Sequence, residues 1–419
     1  MPKLLRSLPI GIAPILLATV VAGGSGYLVN AIVPIFRSQA QYADFSILWS
    51  ALYLIIAALS GVQQEVTRST KKRAGAEPAT SASPARGFAI VVSVATGLVI
   101  LISSIWWLPA VVGGNGLVLA VPLAIGTASY IVVAVLSGTM YGLELWKLAG
   151  VMIGVDGVLR LFGVVAALAF AAGTVGLFWA VVLPFPITPI AVWLFARRAI
   201  VGRSELDVAL PALTWNVLRT IVASAATGVM ISGYPLLLAA MSPATPKTEL
   251  ATVNLSINLI RAPLVIVVLS LQSYLVVRFR AAADAALGVF LKVSGVIIAA
   301  TIVLSALAWL LGPILLGLFG HGYILGGWVV AALVGASGLL GVLCVSGPLA
   351  LGLSQHGVYV AGWVLAAATS VLLLLLPGDL ITRMLVSLTL GPIVGVATHL
   401  IGVVRAARRP HSLERSLSD

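Results

Sequence analysis

The residues best suited to chemistry are charges set deep in apolar stretches. Asp156 stands four positions before Arg160, a spacing that puts both side chains on one helix face and lets them pair. Arg219 follows Asn216 by three positions, and Asn254, Asn258 and Arg261 stand at i, i+4 and i+7, so each set shares a face. Lys292 is a further deep cation. Charged side chains inside a bilayer are costly, and they turn to a partner or to a water-filled cavity. Asp156 therefore has two readings: an ion pair that neutralises Arg160, or a carboxylate that binds a proton or a coupling cation. The basic groups outnumber the deep carboxylates, and arginine's planar fork of donors matches phosphate oxygens. The expected site is an anion-binding cleft for a phosphate headgroup. Arg219, Arg261 and Lys292 line it, with Arg160 opposite and Asn216, Asn254 and Asn258 nearby.

Other chemistry is thin. His321, His356, His399 and His411 are scattered and make no metal-ligand pattern. There is no Walker loop, no dinucleotide fingerprint and no loop large enough for a catalytic domain. The reading is of a protein that is not an enzyme and that needs no metal and no cofactor. Cys344 is the one cysteine, so no disulfide framework exists within the chain.

The elements that hold these charges are membrane helices. Of 419 residues, 61% are hydrophobic and 9% charged, and the mean hydropathy is +1.15. Soluble domains carry about a quarter charged residues, and a spanning helix needs about 20 largely apolar ones. The sequence divides into about twelve such spans, near 10–35, 44–66, 87–109, 116–139, 147–171, 173–196, 209–240, 248–277, 284–311, 325–352, 355–376 and 380–404. The apolar run after Lys3 and Arg6 is read as a retained first helix rather than a signal peptide. Ala172–Gly173 is a hinge that makes the fifth and sixth spans an antiparallel hairpin. The small-residue clusters Gly23–Gly26 and Ala223–Gly228 read as faces where helices approach closely.

Lys and Arg set the orientation, because cytoplasmic loops carry the excess. With the N-terminus inside, seventeen of the 24 Lys and Arg fall in cytoplasmic segments, and only Arg37, Lys247 and Arg383 fall outside. Both termini are therefore expected in the cytoplasm of a bacterial inner membrane. The same bias accounts for most of the +12 net charge, so no nucleic-acid partner is implied. The segment Arg68–Arg86 is polar and reads as a mobile loop. A second polar linker, 197–208, separates an N-terminal six-helix lobe (1–196) from a C-terminal one (209–404), and 405–419 is a tail. GVQQEVTR (Gly61–Arg68) and LSLQSYLVVR (Leu269–Arg278) echo each other, with Gln63 and Gln272 209 positions apart. Parallel repeats of this kind are one plan of transporter.

These features converge on a family. Tyr42–Arg68 (YADFSILWSALYLIIAALSGVQQEVTR), Leu310–Tyr323 (LLGPILLGLFGHGY) and Ser346–Thr369 (SGPLALGLSQHGVYVAGWVLAAAT), in this order among about twelve spans, resemble polysaccharide flippases. These belong to the multidrug/oligosaccharidyl-lipid/polysaccharide exporter superfamily. The resemblance implies an all-α polytopic membrane protein, with two six-helix lobes around a central cleft. It implies alternating access that carries a polyprenyl-phosphate- or diphosphate-linked saccharide outward for cell-envelope assembly. Its partners would be that lipid, membrane lipids, and glycosyltransferases or a polymerase of the same pathway, with the protein itself a monomer. The resemblance also gives the deep basic residues their phosphate-binding role. The alternatives are a multidrug or metabolite antiporter of the same superfamily, or a non-transporting scaffold for envelope assembly.

Overall fold

The computed structural model describes residues 13–72, 84–113, 116–207, 209–282, 285–320 and 322–407. Nearly all of this is helix: α1 (Ala13–Phe36), α2 (Gln39–Ser69), α3 (Pro84–Val112), α4 (Gly116–Gly142), α5 (Trp146–Ala169), α6 (Thr174–Val182), α7 (Pro184–Ile200), α8 (Leu210–Ile231), α9 (Tyr234–Ala240), α10 (Lys247–Ala281), α11 (Ala286–Gly317), α12 (Gly327–Gly352), α13 (His356–Leu374) and α14 (Leu380–Ala407). Helices dominate because a segment in hydrocarbon must satisfy its own backbone N–H and C=O groups. Among the described residues, ten spans are long and apolar enough to cross a membrane, with α6 and α7 counted as one. The pair α8 and α9, bent by 77°, makes an eleventh if read as one broken span. The expected eighth span coincides with α10, whose 35 residues reach about 52 Å at 1.5 Å per residue. The protein is all-α and polytopic. Its outward faces are apolar: on α3 alone Ile90, Val91, Val94, Leu98, Val99, Ile102, Ile105 and Trp106 are exposed, a surface that suits lipid and not water.

The chain packs as two compact units, Met1–Leu259 with Leu316–Ile324, and Ile260–Leu315 with Leu325–Asp419. The first extends past the 197–208 linker, because α8 and α9 pack on α2. That contact is close. A Cβ at Gly61 would lie 2.8 Å from the backbone nitrogen of Ile221, and one at Gly228 would lie 2.7 Å from Cβ of Ala57. Part of the Ala223–Gly228 cluster is thus a packing face. The break between α8 and α9 is bridged by Ser50 of α2, whose hydroxyl donates to the Ser232 carbonyl (2.6 Å) and accepts from the Leu236 N–H (3.1 Å). In the second unit α14 packs along α13 and α12.

The segment after α2 differs from the expected mobile loop. Its first residues form β1 (Thr70–Lys72), antiparallel to β2 (Ser204–Leu206), with Lys71 opposite Glu205. Lys71 is 3.3 Å from Asp207 and Lys72 is 2.7 Å from Glu144. The 197–208 linker is thereby tied to the end of α2. The pattern missed this because three-residue strands carry no periodicity to read. The remainder of the predicted loop, 73–83, lies outside the described residues, as do 1–12, His321 and the tail from 408. The Lys72 ammonium holds the Glu144 carboxyl below the ordinary carboxylate range. Their pairing is therefore complete above that range and fades as pH falls through the lowered value.

Two turns repeat. Glu144, between α4 and α5, and Ser354, between α12 and α13, stand 210 positions apart, and both take left-handed φ, 60° and 61°. Their hydrogen bonds match one for one: Leu143 to Thr139, Glu144 to Tyr141 and Leu145 to Met140 in one, Leu353 to Leu349, Ser354 to Leu351 and Gln355 to Ala350 in the other.

The α2–α8 contact yields a stability prediction. Gly61→Val overpacks a backbone contact and lowers stability by about 1–3 kcal/mol. Thermal unfolding in detergent reads this as a lower transition temperature, whereas Gly87→Ala, at a site with open space around it, leaves the transition in place.

Candidate functional site

The first unit holds an ion pair in its interior. Asp156 and Arg160 lie one turn apart on α5, and Arg160 Nη2 donates to Asp156 Oδ2 at 2.7 Å. The pairing expected from the spacing is present. α5 is seated on α1 by small residues: a Cβ at Gly157 would lie 2.6 Å from Cα of Ala22. This close seat fixes the helix whose next turn carries Arg160.

Every donor edge of Arg160 meets an acceptor or a ring. Nε donates to the Val181 carbonyl at 3.1 Å and Nη1 donates to Tyr53 Oη. The Val181 carbonyl lies beside the break between α6 and α7, where Pro184 lacks an N–H to continue the helix. The guanidinium carbon sits 4.4 Å from the Phe185 ring centroid and 5.6 Å from that of Tyr53, within cation–π range. Phe185 is held edge-on by Tyr130 at 5.9 Å. Tyr53 closes an aromatic ladder along α2, with Tyr42–Phe45 at 6.5 Å, Phe45–Trp49 at 5.9 Å and Trp49–Tyr53 at 4.5 Å. The ladder follows from i, i+3 and i+4 spacing.

Asp156 is less fully engaged. Oδ2 takes the Arg160 bond, while Oδ1 is buried and has no hydrogen-bond partner. A buried carboxylate oxygen with open acceptor capacity is costly, and it is where a proton or a small cation would bind. Among the described residues, no group of three or more His, Cys, Asp and Glu is placed to hold a metal ion.

The other predicted site residues do not gather around this pair. Asn216 Nδ2 donates to Glu65 Oε1 (3.0 Å) near the end of α2, and Glu65 is also bound by Arg68 through two bonds of 2.9 and 2.5 Å. Arg219 is exposed, 5.0 Å from the Trp215 ring. Asn254 is buried and donates to Ser46 Oγ at 2.9 Å, and Asn258 donates to Asn30 Oδ1 at 3.2 Å. Ser46 and Glu65 are separated by about 28 Å of helix at 1.5 Å per residue, so Asn216 and Asn254 cannot serve one headgroup. The three asparagines act as interhelical hydrogen-bond partners, a common use of polar side chains in membranes. Arg261 and Lys292 belong to the second unit, the first buried and the second exposed. Sequence reasoning missed Glu65 and Tyr53. Glu65 sits in the quoted GVQQEVTR motif, and its place three residues before Arg68 was the available signal.

The fold has known counterparts. An inward-facing multidrug resistance MATE family transporter of the MOP superfamily matches with a TM-score of 0.64, at 15% identity over 94% of this chain and 95% of that one. An outward-facing one matches at 0.61, with 13% identity and 95% of each chain covered. A MOP superfamily transporter from Pyrococcus furiosus, described as having a binding pocket of reversed polarity that suggests a different function, matches at 0.60, with 14% identity over 95% and 96%. The chain therefore has the MOP-superfamily fold. Two of these three counterparts are multidrug resistance transporters and the third is one for which a different function is suggested; they do not single out the polysaccharide-flippase branch. In sequence, the uncharacterized protein Rv1510 of Mycobacterium tuberculosis is 29% identical over 405 residues, 94% of this chain and 90% of its own. The uncharacterized protein Mb3654 of Mycobacterium bovis is 29% identical over 399 residues, covering 93% and 90%. No family model matches.

The pair predicts a double-mutant pattern. Asp156→Ala strands a buried guanidinium and costs about 3–5 kcal/mol, whereas adding Arg160→Met recovers most of the loss. Unfolding of the three variants in one detergent checks it.

Proposed function

We propose that this chain is an alternating-access membrane antiporter that exports an organic drug or metabolite in exchange for a proton or small cation taken up at Asp156. The observation that carries the reading is Asp156 Oδ1, a buried carboxylate oxygen without a partner inside a helical bundle. Loading that oxygen changes the charge beside Arg160 and so the hold of α5 on Tyr53 and Val181. That is the differential contact a two-state carrier needs. The superfamily fold and its multidrug-transporter counterparts support the same reading. The Lys and Arg bias supports cytoplasmic termini in a bacterial inner membrane.

A second reading keeps the lipid-linked saccharide as cargo. It is favoured by Arg219 and Lys292, exposed cations on faces that also expose Trp215 and Val222, and Val296. Such surfaces suit a phosphate headgroup on an apolar carrier.

Transport by purified protein in vesicles separates the two. The antiporter reading expects a fluorescent organic cation to move against an imposed pH gradient, and expects Asp156→Asn to abolish that drive while the protein stays folded. If instead a polyprenyl-phosphate saccharide is flipped equally well by wild type and Asp156→Asn, and impaired by Arg219→Ala, the second reading replaces the first.

A further inference from the structure

The second unit buries a titratable group that plays no part in the Asp156 site. His399 on α14 is fully buried. Its ring stacks on Tyr359 of α13, with 6.3 Å between centroids and 2° between planes. It also fills the groove over Gly362, where a Cβ would lie 2.1 Å from Nε2. Nε2 is 3.0 Å from the Tyr359 carbonyl, and Nδ1 is 2.7 Å from Ser346 Oγ of α12.

The hydrogen-bond arithmetic at this ring is informative. A carbonyl only accepts, so Nε2 carries a proton and donates to Tyr359. Nδ1 then either accepts from the Ser346 hydroxyl or, if protonated, donates to it. Ser346 Oγ is also 3.0 Å from the Leu343 carbonyl, which again only accepts. One hydroxyl proton cannot serve both Nδ1 and Leu343. With a neutral ring, Ser346 turns to Nδ1 and leaves the Leu343 carbonyl. With an imidazolium, Nδ1 donates to Ser346, Ser346 donates to Leu343, and every group is satisfied. The ring is thus surrounded by acceptors for both of its N–H groups, and the hydroxyl rotor accommodates either state.

We propose that His399 is a proton-binding site of the second unit, with Ser346 as the rotor that completes the charged form. The helices packed on α14 supply few other ionisable groups: Cys344 on α12, and Tyr359 and the exposed His356 on α13. No acidic residue lies in α12, α13 or α14. The proton is therefore held by oxygen acceptors rather than by a carboxylate. Its uptake places an uncompensated charge where three helices meet, which biases their packing. This site does not depend on the antiporter reading, since it is defined by protonation and not by cargo.

The chain has four histidines, so a His321→Gln/His356→Gln/His411→Gln variant leaves His399 as the only one. With 15N-labelled histidine in lipid nanodiscs, solid-state NMR reads Nδ1 directly. Nδ1 is expected to pass reversibly from unprotonated to protonated as pH is lowered from about 8.5 to about 4.5. In the same background Ser346→Ala is expected to weaken proton affinity by about tenfold, because a charge-assisted bond to the ring is lost. An Nδ1 that stays unprotonated across the range overturns the site, as does a folded Ser346→Ala variant that titrates unchanged. If Ser346→Ala does not fold, the single-histidine titration decides alone.

Discussion

A guanidinium inside a helical bundle must find a partner for each of its donors, and the first unit is arranged around that demand at Arg160. Water is not available to meet it, and an unpaired charge there is prohibitive. Four helices contribute: α5 its own Asp156, α2 the Tyr53 hydroxyl, α6 the Val181 carbonyl and α7 the Phe185 face. The interruption of the sixth span at Pro184 stands beside the Val181 carbonyl that Arg160 uses. The aromatic ladder of α2 ends where a ring is needed against the cation. One carboxylate oxygen is spent on the pair, and the other is buried without a hydrogen-bond partner.

The two halves of the sequence do not share this chemistry. The positions 210 after Asp156 and Arg160 are Ala366 and Ser370. Ser370 exchanges hydroxyl-to-carbonyl bonds with Ser387, at 3.1 and 2.7 Å, a neutral counterpart to the ion pair. Two further cations of the second unit that the sequence singles out, Arg261 and Lys292, lie on other helices.

Much of the architecture was legible in the sequence because the bilayer imposes it. Apolar runs of about 20 residues give spans directly, and Asp156–Arg160 spacing gives the pair. What was not legible has a physical reason in each case. The bend at Ser232–Gly233 is stabilised by Ser50, 182 residues away, and no local pattern carries that. The strands at 70–72 and 204–206 are too short to show alternation, and they pair across most of the first unit. The asparagines at 216, 254 and 258 share faces as read. Which helix each face meets is a tertiary fact, however, and the partners turned out to be Glu65, Ser46 and Asn30 rather than one headgroup. Glu65 lies near a helix end, where a carboxylate beside Arg68 reads as an ordinary interfacial pair.

The account rests on Asp156 taking up a proton or small cation while it remains paired with Arg160. Infrared difference spectroscopy of the purified protein in lipid, stepped between alkaline and acidic buffer without added metal cations, tests this directly. The account predicts a protonated-carboxyl stretching band that appears on acidification, shifts on deuteration and is missing in Asp156→Asn. A carboxyl band that is the same in wild type and Asp156→Asn, with Asp156 ionised at every pH at which the protein stays folded and unmoved by added sodium, would contradict it.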